Sequence, residues 1–201
     1  AAQAKIHTRN FVGPSGTIYV GSKQGYRRGP DDKGDYPGGY VMTYNPATDQ
    51  AENLGMPFPG QGVIDTVADE KRGLIYSVTC EEFHWMLYDM KTAKHRELGP
   101  MLVGYATTLI DPKGRANALT RDFQLAQFDP ATDQITIRDI MVGDRKLEFA
   151  PQDVITGMAR AETGQRCTTT WDMLNRGEVA MITWFAQDLN RKFHSEKVQG
   201  Q

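Results

Sequence analysis

Residues 44–50 read Tyr-Asn-Pro-Ala-Thr-Asp-Gln, and residues 128–134 read Phe-Asp-Pro-Ala-Thr-Asp-Gln. A degenerate third copy, Tyr88-Asp89-Met90-Lys91-Thr92-Ala93-Lys94, lies between them. Asn45 and Asp89 are 44 positions apart, and Asp89 and Asp129 are 40 apart. A shorter echo, Gln187-Asp188-Leu189-Asn190-Arg191, follows 59 positions after Asp129. A period of about 40–50 residues is the mark of a chain built from repeated supersecondary units.

Each copy encodes a hairpin. The runs YVMTYN, HWMLYD and QLAQFD end in an aromatic strand residue. The Asn or Asp that follows can bond backbone amides two or three positions on, which starts a turn. Pro46 and Pro130 pre-set φ at the next position. The segments after the turns, AENLG, HRELG and ITIRD, are short and half-polar, as suits an outer edge strand.

A second anchor runs in step with the first. Gly16, Gly73, Gly114 and Gly164 each open a strand, and the first three follow the polar turns GPSG, DEKRG and DPKG. The strands KIHTRNFV, VIDTVAD, ATTLID and VITGMARA precede those turns. The unit is therefore strand, turn, Gly-led strand, loop, aromatic strand, Asp turn and edge strand.

Four-strand units of this length resemble the blades of a β-propeller. The aromatic-Asp-Pro-x-Thr turn is similar to the one between third and fourth strands in the quinoprotein-like, streptogramin-lyase-like and oligogalacturonate-lyase-like propellers. The resemblance covers roughly residues 5–199. It implies an all-β chain forming one propeller domain over residues 1–201, with blades at about 5–55, 63–99, 106–140 and 154–199. Four blades are the low end for a propeller, so a dimer-completed or partial ring is a second expectation. The tail places Phe185, Leu189 and Phe193 at helical spacing, but the β-branched and aromatic run VAMITWF before it favours a strand.

The net charge is −2 and the pI about 6.1, so no global field favours nucleic acid or an anionic membrane. No apolar run approaches the roughly 18 residues needed to span a bilayer. Cys80 and Cys167 match no metal knuckle or redox pair and read as buried thiols. The opening Ala1-Ala2-Gln3-Ala4 looks like the surroundings of a signal-peptidase site, which with the resemblance gives a periplasmic or secreted expectation.

In propellers, the loops joining second to third strands gather with the blade-joining loops on one face, and function has to be argued from them. The longest, residues 22–39, carries Lys23, Tyr26, Arg27, Arg28 and Tyr36. Arg and Tyr together grip carboxylates, phosphates or sugar rings; a merely solvated loop is the plain alternative. The second repeat places His84 between Glu82 and Trp85, the ingredients of a tuned acid–base group. His7, on an innermost strand, and His84 are the only metal-ligand candidates, without His-x-His spacing behind them. Arg121 beside Asp122 reads as a ligand contact or a bracing ion pair. Asp65, inside an apolar strand, reads as a channel-facing ligand contact or an organiser of channel water, since an inward carboxylate needs a partner or water to offset its desolvation. His95 and His194 fall on edge strands and read as surface residues. Phe58, Tyr105 and Phe149, in the blade-joining loops, supply an apolar floor or plugs between blades.

P-loop, Gly-rich dinucleotide, nucleophile-elbow, zincin and Cys-x-x-Cys motifs are all absent. The expected partner is a small-molecule or oligosaccharide ligand, an anionic sugar or organic acid, with no nucleic acid or membrane. The lyase side of the resemblance implies a base, His84 or Tyr26, removing a proton α to a carboxylate that Arg28 or Arg121 clamps. A non-catalytic binding or assembly module, with a homodimer or larger complex, is the other reading. Quinone or copper follows only from the quinoprotein-like part of the resemblance, and no ligand set in the sequence names a cofactor.

Overall fold

A computed structural model describes residues 5–24, 36–80, 82–99, 108–122, 124–142 and 145–146, together with the strands at 153–160, 171–175 and 178–186. The described residues are all-β, without a helix, and their sheets are antiparallel with no closed sheet among them. The chain divides into two compact units, Ala1–Leu102 and Val103–Gln201.

The first unit holds two sheets. In the first, β1 (Lys5–Ile6) and β2 (Phe11–Val12) both pair with β3 (Ile18–Lys23), so together they act as one interrupted strand. Between them Thr8 Oγ1 accepts the Gly21 amide at 2.9 Å and bridges the gap. The sheet continues through β4 (Val41–Asn45) to β5 (Gln50–Asn53). The second sheet is an in-order meander: β6 (Val63–Asp69), β7 (Leu74–Thr79), β8 (Trp85–Asp89) and β9 (Lys94–Glu97).

Strand β3 packs on β6, and a side chain at Gly21 would collide with Val63, so this crossing admits only glycine. The shared core joins Tyr19 and Val41 of the first sheet to Val63, Ala68, Ile75 and Tyr88 of the second. Every residue of β6 is buried. A buried side chain such as Ile75 contributes about 1.5–3 kcal/mol through its transfer from water.

The second unit opens with the third meander: β10 (Leu109–Ile110), β11 (Ala116–Leu119), β12 (Leu125–Asp129) and β13 (Gln134–Arg138). Strands β11 and β12 are buried but for Asp129 at the end, even though they carry two amides. Gln127 Nε2 donates to Asn117 Oδ1 at 2.7 Å, which removes most of the penalty. A small pair, β14 (Met141–Val142) and β15 (Arg145–Lys146), follows. The last sheet contains β16 (Asp153–Arg160), β17 (Trp171–Asn175) and β18 (Glu178–Ala186) in the order β16–β18–β17. This order departs from the meander of the first repeats, because the long β18 pairs on both sides. The run VAMITWF is strand, while the echo at 187–191 lies outside the described residues.

The repeated heptad folds the same way three times. The side chains of Asn45, Asp89 and Asp129 accept the amides of Ala47, Lys91 and Ala131 at 3.0, 2.8 and 2.9 Å. Four-residue turns then close on the pairs Asn45–Gln50, Asp89–Lys94 and Asp129–Gln134. Asp49, Ala93 and Asp133 occupy the left-handed region at φ 53°, 53° and 57°. The outer strands are correspondingly wet: β5 is exposed throughout, and β13 leaves Ile137 49 % exposed.

The polar turns are a second repeated device. Asp69 holds Arg72 at 2.7 Å, and Asp111 holds Arg115 at 2.6 Å while accepting the amides of Lys113 and Arg115. In the first sheet a carboxylate borrowed from the second does this work. Ser15, through its amide and hydroxyl, and Tyr19 all donate to Glu70. Burial alone would raise the Glu70 pKa, but these bonds hold it below its ordinary value.

Candidate functional site

Three segments meet at one end of the first unit. Gly39 N donates to Gln61 O at 2.7 Å, and Gly60 N donates to Pro37 O at 2.7 Å, which joins residues 36–40 to the 55–62 loop. Cys80 N donates to Gly62 O, and Glu82 N to Gln61 Oε1, which adds the β7–β8 loop. Lys23, at the end of β3, passes close to Gly62, and its ammonium contacts the Cys80 sulfur. Cys80 is a buried free thiol, as read from the sequence; Cys167 is outside the described residues.

His84 is the centre of this face. Phe83 before it sits at φ 62°, a conformation that costs a bulky residue about 1–2 kcal/mol. The bend lets His84 N donate to Thr79 Oγ1 at 2.8 Å while its carbonyl accepts the Thr79 amide at 3.0 Å. The imidazole stacks on Phe58, 3.9 Å between centroids and 13° from parallel. Nδ1 meets Glu97 Oε1 at 2.6 Å and Nε2 meets Glu82 Oε2 at 2.9 Å. Carboxylates that accept from both sides suit an imidazolium, which donates from both ring nitrogens. Burial pulls its pKa down, but the bonds to Glu97 and then Glu82 outweigh burial and hold it above the ordinary 6.5.

This geometry suits a positioned cation rather than a proton acceptor, because neither nitrogen offers a free lone pair. Phe58 serves as the floor of the histidine. Trp85, next to His84 in sequence, is instead fully buried in β8 and belongs to the core. Glu97 was missed from the sequence, although the β8–β9 register that pairs Met86 with Glu97 carries it to the mouth of the loop.

Asp65 is fully buried, and Arg9 grips it at two points: Nε lies 2.9 Å from Oδ1, and Nη2 donates to Oδ2 at 3.2 Å. Its charge braces β6 against the segment between β1 and β2, and Oδ1 also accepts the Thr66 amide. His7 donates its amide to Gly21 O, and burial, then Lys5 and Lys23, lowers its pKa. Among the described residues no group of three or more His, Cys, Asp or Glu is placed to hold a metal ion. Tyr36 reaches the face through its own segment. Arg121 lies in the second unit, exposed in the turn after β11. Tyr26, Arg27, Arg28, Tyr105, Phe149 and His194 lie outside the described residues.

His95 corrects a sequence reading. Though on edge strand β9, it crosses to the first sheet, where Nε2 donates to Leu54 O at 2.9 Å and the ring packs on Tyr88 at 4.6 Å. Burial lowers its pKa, although the bond to Leu54 works the other way.

No protein-family model matches the chain, and no curated protein does. Among solved structures, the chain is similar to one described as the extracellular domain of a one-component system from B. thetaiotaomicron. The TM-score is 0.45 at 16 % identity, covering 85 % of this chain and 20 % of that one. This chain thus spans about a fifth of that protein's length, and a likeness this distant assigns neither ligand nor reaction. No helix among the described residues is long and apolar enough to cross a membrane.

Proposed function

We propose that the chain supplies blades of a β-propeller whose loop face binds a small organic anion, an acidic sugar or carboxylic acid, without transforming it. The observation that carries this reading is the anchoring of the long loop. Its chain leaves β3 at Lys23, beside Cys80 and Gly62, and returns at residues 36–40, where Gly39 N donates to Gln61 O and Pro37 O accepts from Gly60 N of the 55–62 loop. Both ends therefore stand on the face that holds the His84 ring. Arg27 and Arg28 are four and five residues beyond Lys23 in sequence. Guanidinium groups on a Tyr-bearing loop, with the Lys23 ammonium at its base, recognise carboxylates by charge-assisted bonds, whereas the ring nitrogens of His84 are already taken by Glu97 and Glu82.

The engaged nitrogens of His84 support binding over lyase chemistry, which needs a free base. The periplasmic or secreted setting, and closure of the ring by a second copy, belong to the same proposal. Calorimetric titration with galacturonate, citrate and neutral galactose tests it. The acids should bind and galactose should not, and Arg27→Ala with Arg28→Ala should weaken the acids by about ten-fold or more, the worth of one charge-assisted bond. Equal binding of galactose, or a double variant that binds like the parent, would sink the reading.

A further inference from the structure

A cavity of about 370 Å³ opens between the first and second sheets, in the size range of small-ligand clefts. It lies at the opposite end of the strands from His84. Tyr19 near the start of β3 and Asn45 at the end of β4 line it, whereas Lys23 and Val41 are at the other ends of those strands. From the second sheet come Tyr88, at the end of β8, and Met90, in the turn after it.

The lining has one kind of charge. Glu52, on the exposed outer strand β5, is its only acidic side chain, and none of the lining residues is Lys, Arg or His. Glu52 makes no ion pair among the described residues. Around it stand the rings of Tyr19 and Tyr88, the thioether of Met90, the side chain of Leu54 and neutral acceptors such as Thr43. Tyr88 is only 7 % exposed, and its ring packs on His95 at 4.6 Å between centroids. Burial first, then the charges of Glu52 and Asp89, pushes the Tyr88 phenol up.

We infer that this cavity is a second ligand site, for a small organic ammonium ion with a short apolar body. Aromatic faces attract the cation through their quadrupoles, and the effect grows as the cation loses water. Glu52 supplies the counter-charge, Leu54 and Met90 cover the apolar part, and the Tyr88 hydroxyl accepts from an N–H. An anion is excluded by Glu52, and a neutral alcohol of the same shape would forgo the aromatic and carboxylate terms.

The test uses the full chain with n-butylammonium and choline as probes, and 1-butanol and butyrate as controls, followed by calorimetry and by ligand-observed NMR. The ammonium probes should bind saturably, and the controls at least about ten-fold more weakly. Glu52→Gln should weaken n-butylammonium about three- to ten-fold, since a partly exposed ion pair contributes little more than 1 kcal/mol. Because Glu52 is exposed and unpaired, this variant keeps the parent's thermal midpoint. Tyr88→Phe should weaken n-butylammonium, which donates N–H bonds, more than choline, which has none. Binding of 1-butanol equal to n-butylammonium, binding of neither, or an unchanged affinity in Glu52→Gln overturns the inference. Loss of anion binding at the loop face leaves it standing, because the two sites share no residue.

Discussion

His84 is where the chemistry of one residue is most sharply set by its neighbours. Its folded pKa is raised above the unfolded value near 6.5. The stability it contributes is therefore fully present below that value and is lost as pH rises through the folded pKa. His95 acts in the opposite sense, since its lowered pKa adds stability above about 6.5 that fades on acidification. Urea unfolding of the parent and Glu97→Gln at pH 6 and pH 8.5 separates the two. The variant should lose about 0.5 kcal/mol at pH 6, a figure discounted for the partial exposure of Glu97, and little at pH 8.5. An equal loss at both values would mean that the pair acts through packing and not through charge.

At the scale of the element, the turns were legible and the pairings beyond them were not. Asn45, Asp89 and Asp129 do locally what their chemistry predicts, because an Asx turn needs only its own next two residues. The strand order β16–β18–β17 and the grip of Arg9 on Asp65 depend on segments far apart in sequence, and no local pattern encodes them. His95 was misjudged for the same reason: its partner Leu54 is 41 residues away. The ammonium cavity was invisible because its lining is split between two sheets. The turns carry their own prediction. Ala93 holds φ 53° where its sister turns use Asp, so Ala93→Gly should relieve strain and raise stability by about 0.5–1 kcal/mol. Chemical denaturation reads this directly, and a destabilised variant would mean that the methyl group packs against something more valuable.

At the scale of the whole molecule, the question is what covers the first sheet's interrupted strand. Ile6 and Val12 are 55 % and 59 % exposed there, large apolar side chains on the strand that a neighbouring blade would shelter. Ring closure by a second copy predicts a solution mass near twice 22.5 kDa by light scattering, and conversion to the single mass in Ile6→Glu with Val12→Glu. A parent of single mass would remove the second copy from the proposal and leave the loop face to act alone.

The wet outer strands decide how such molecules behave when crowded. On β5 and β9, Glu52, Lys94, Arg96 and Glu97 set fixed charges along the open hydrogen-bonding edge, and an approaching strand from another molecule must dehydrate them. On β13 the row is Gln134, Ile135, Thr136, Ile137 and Arg138, with charge only at the last position. Of these three edges, the third is therefore the one through which concentrated samples will lose solubility first, and one lysine in place of Ile137 is the least disruptive way to protect it.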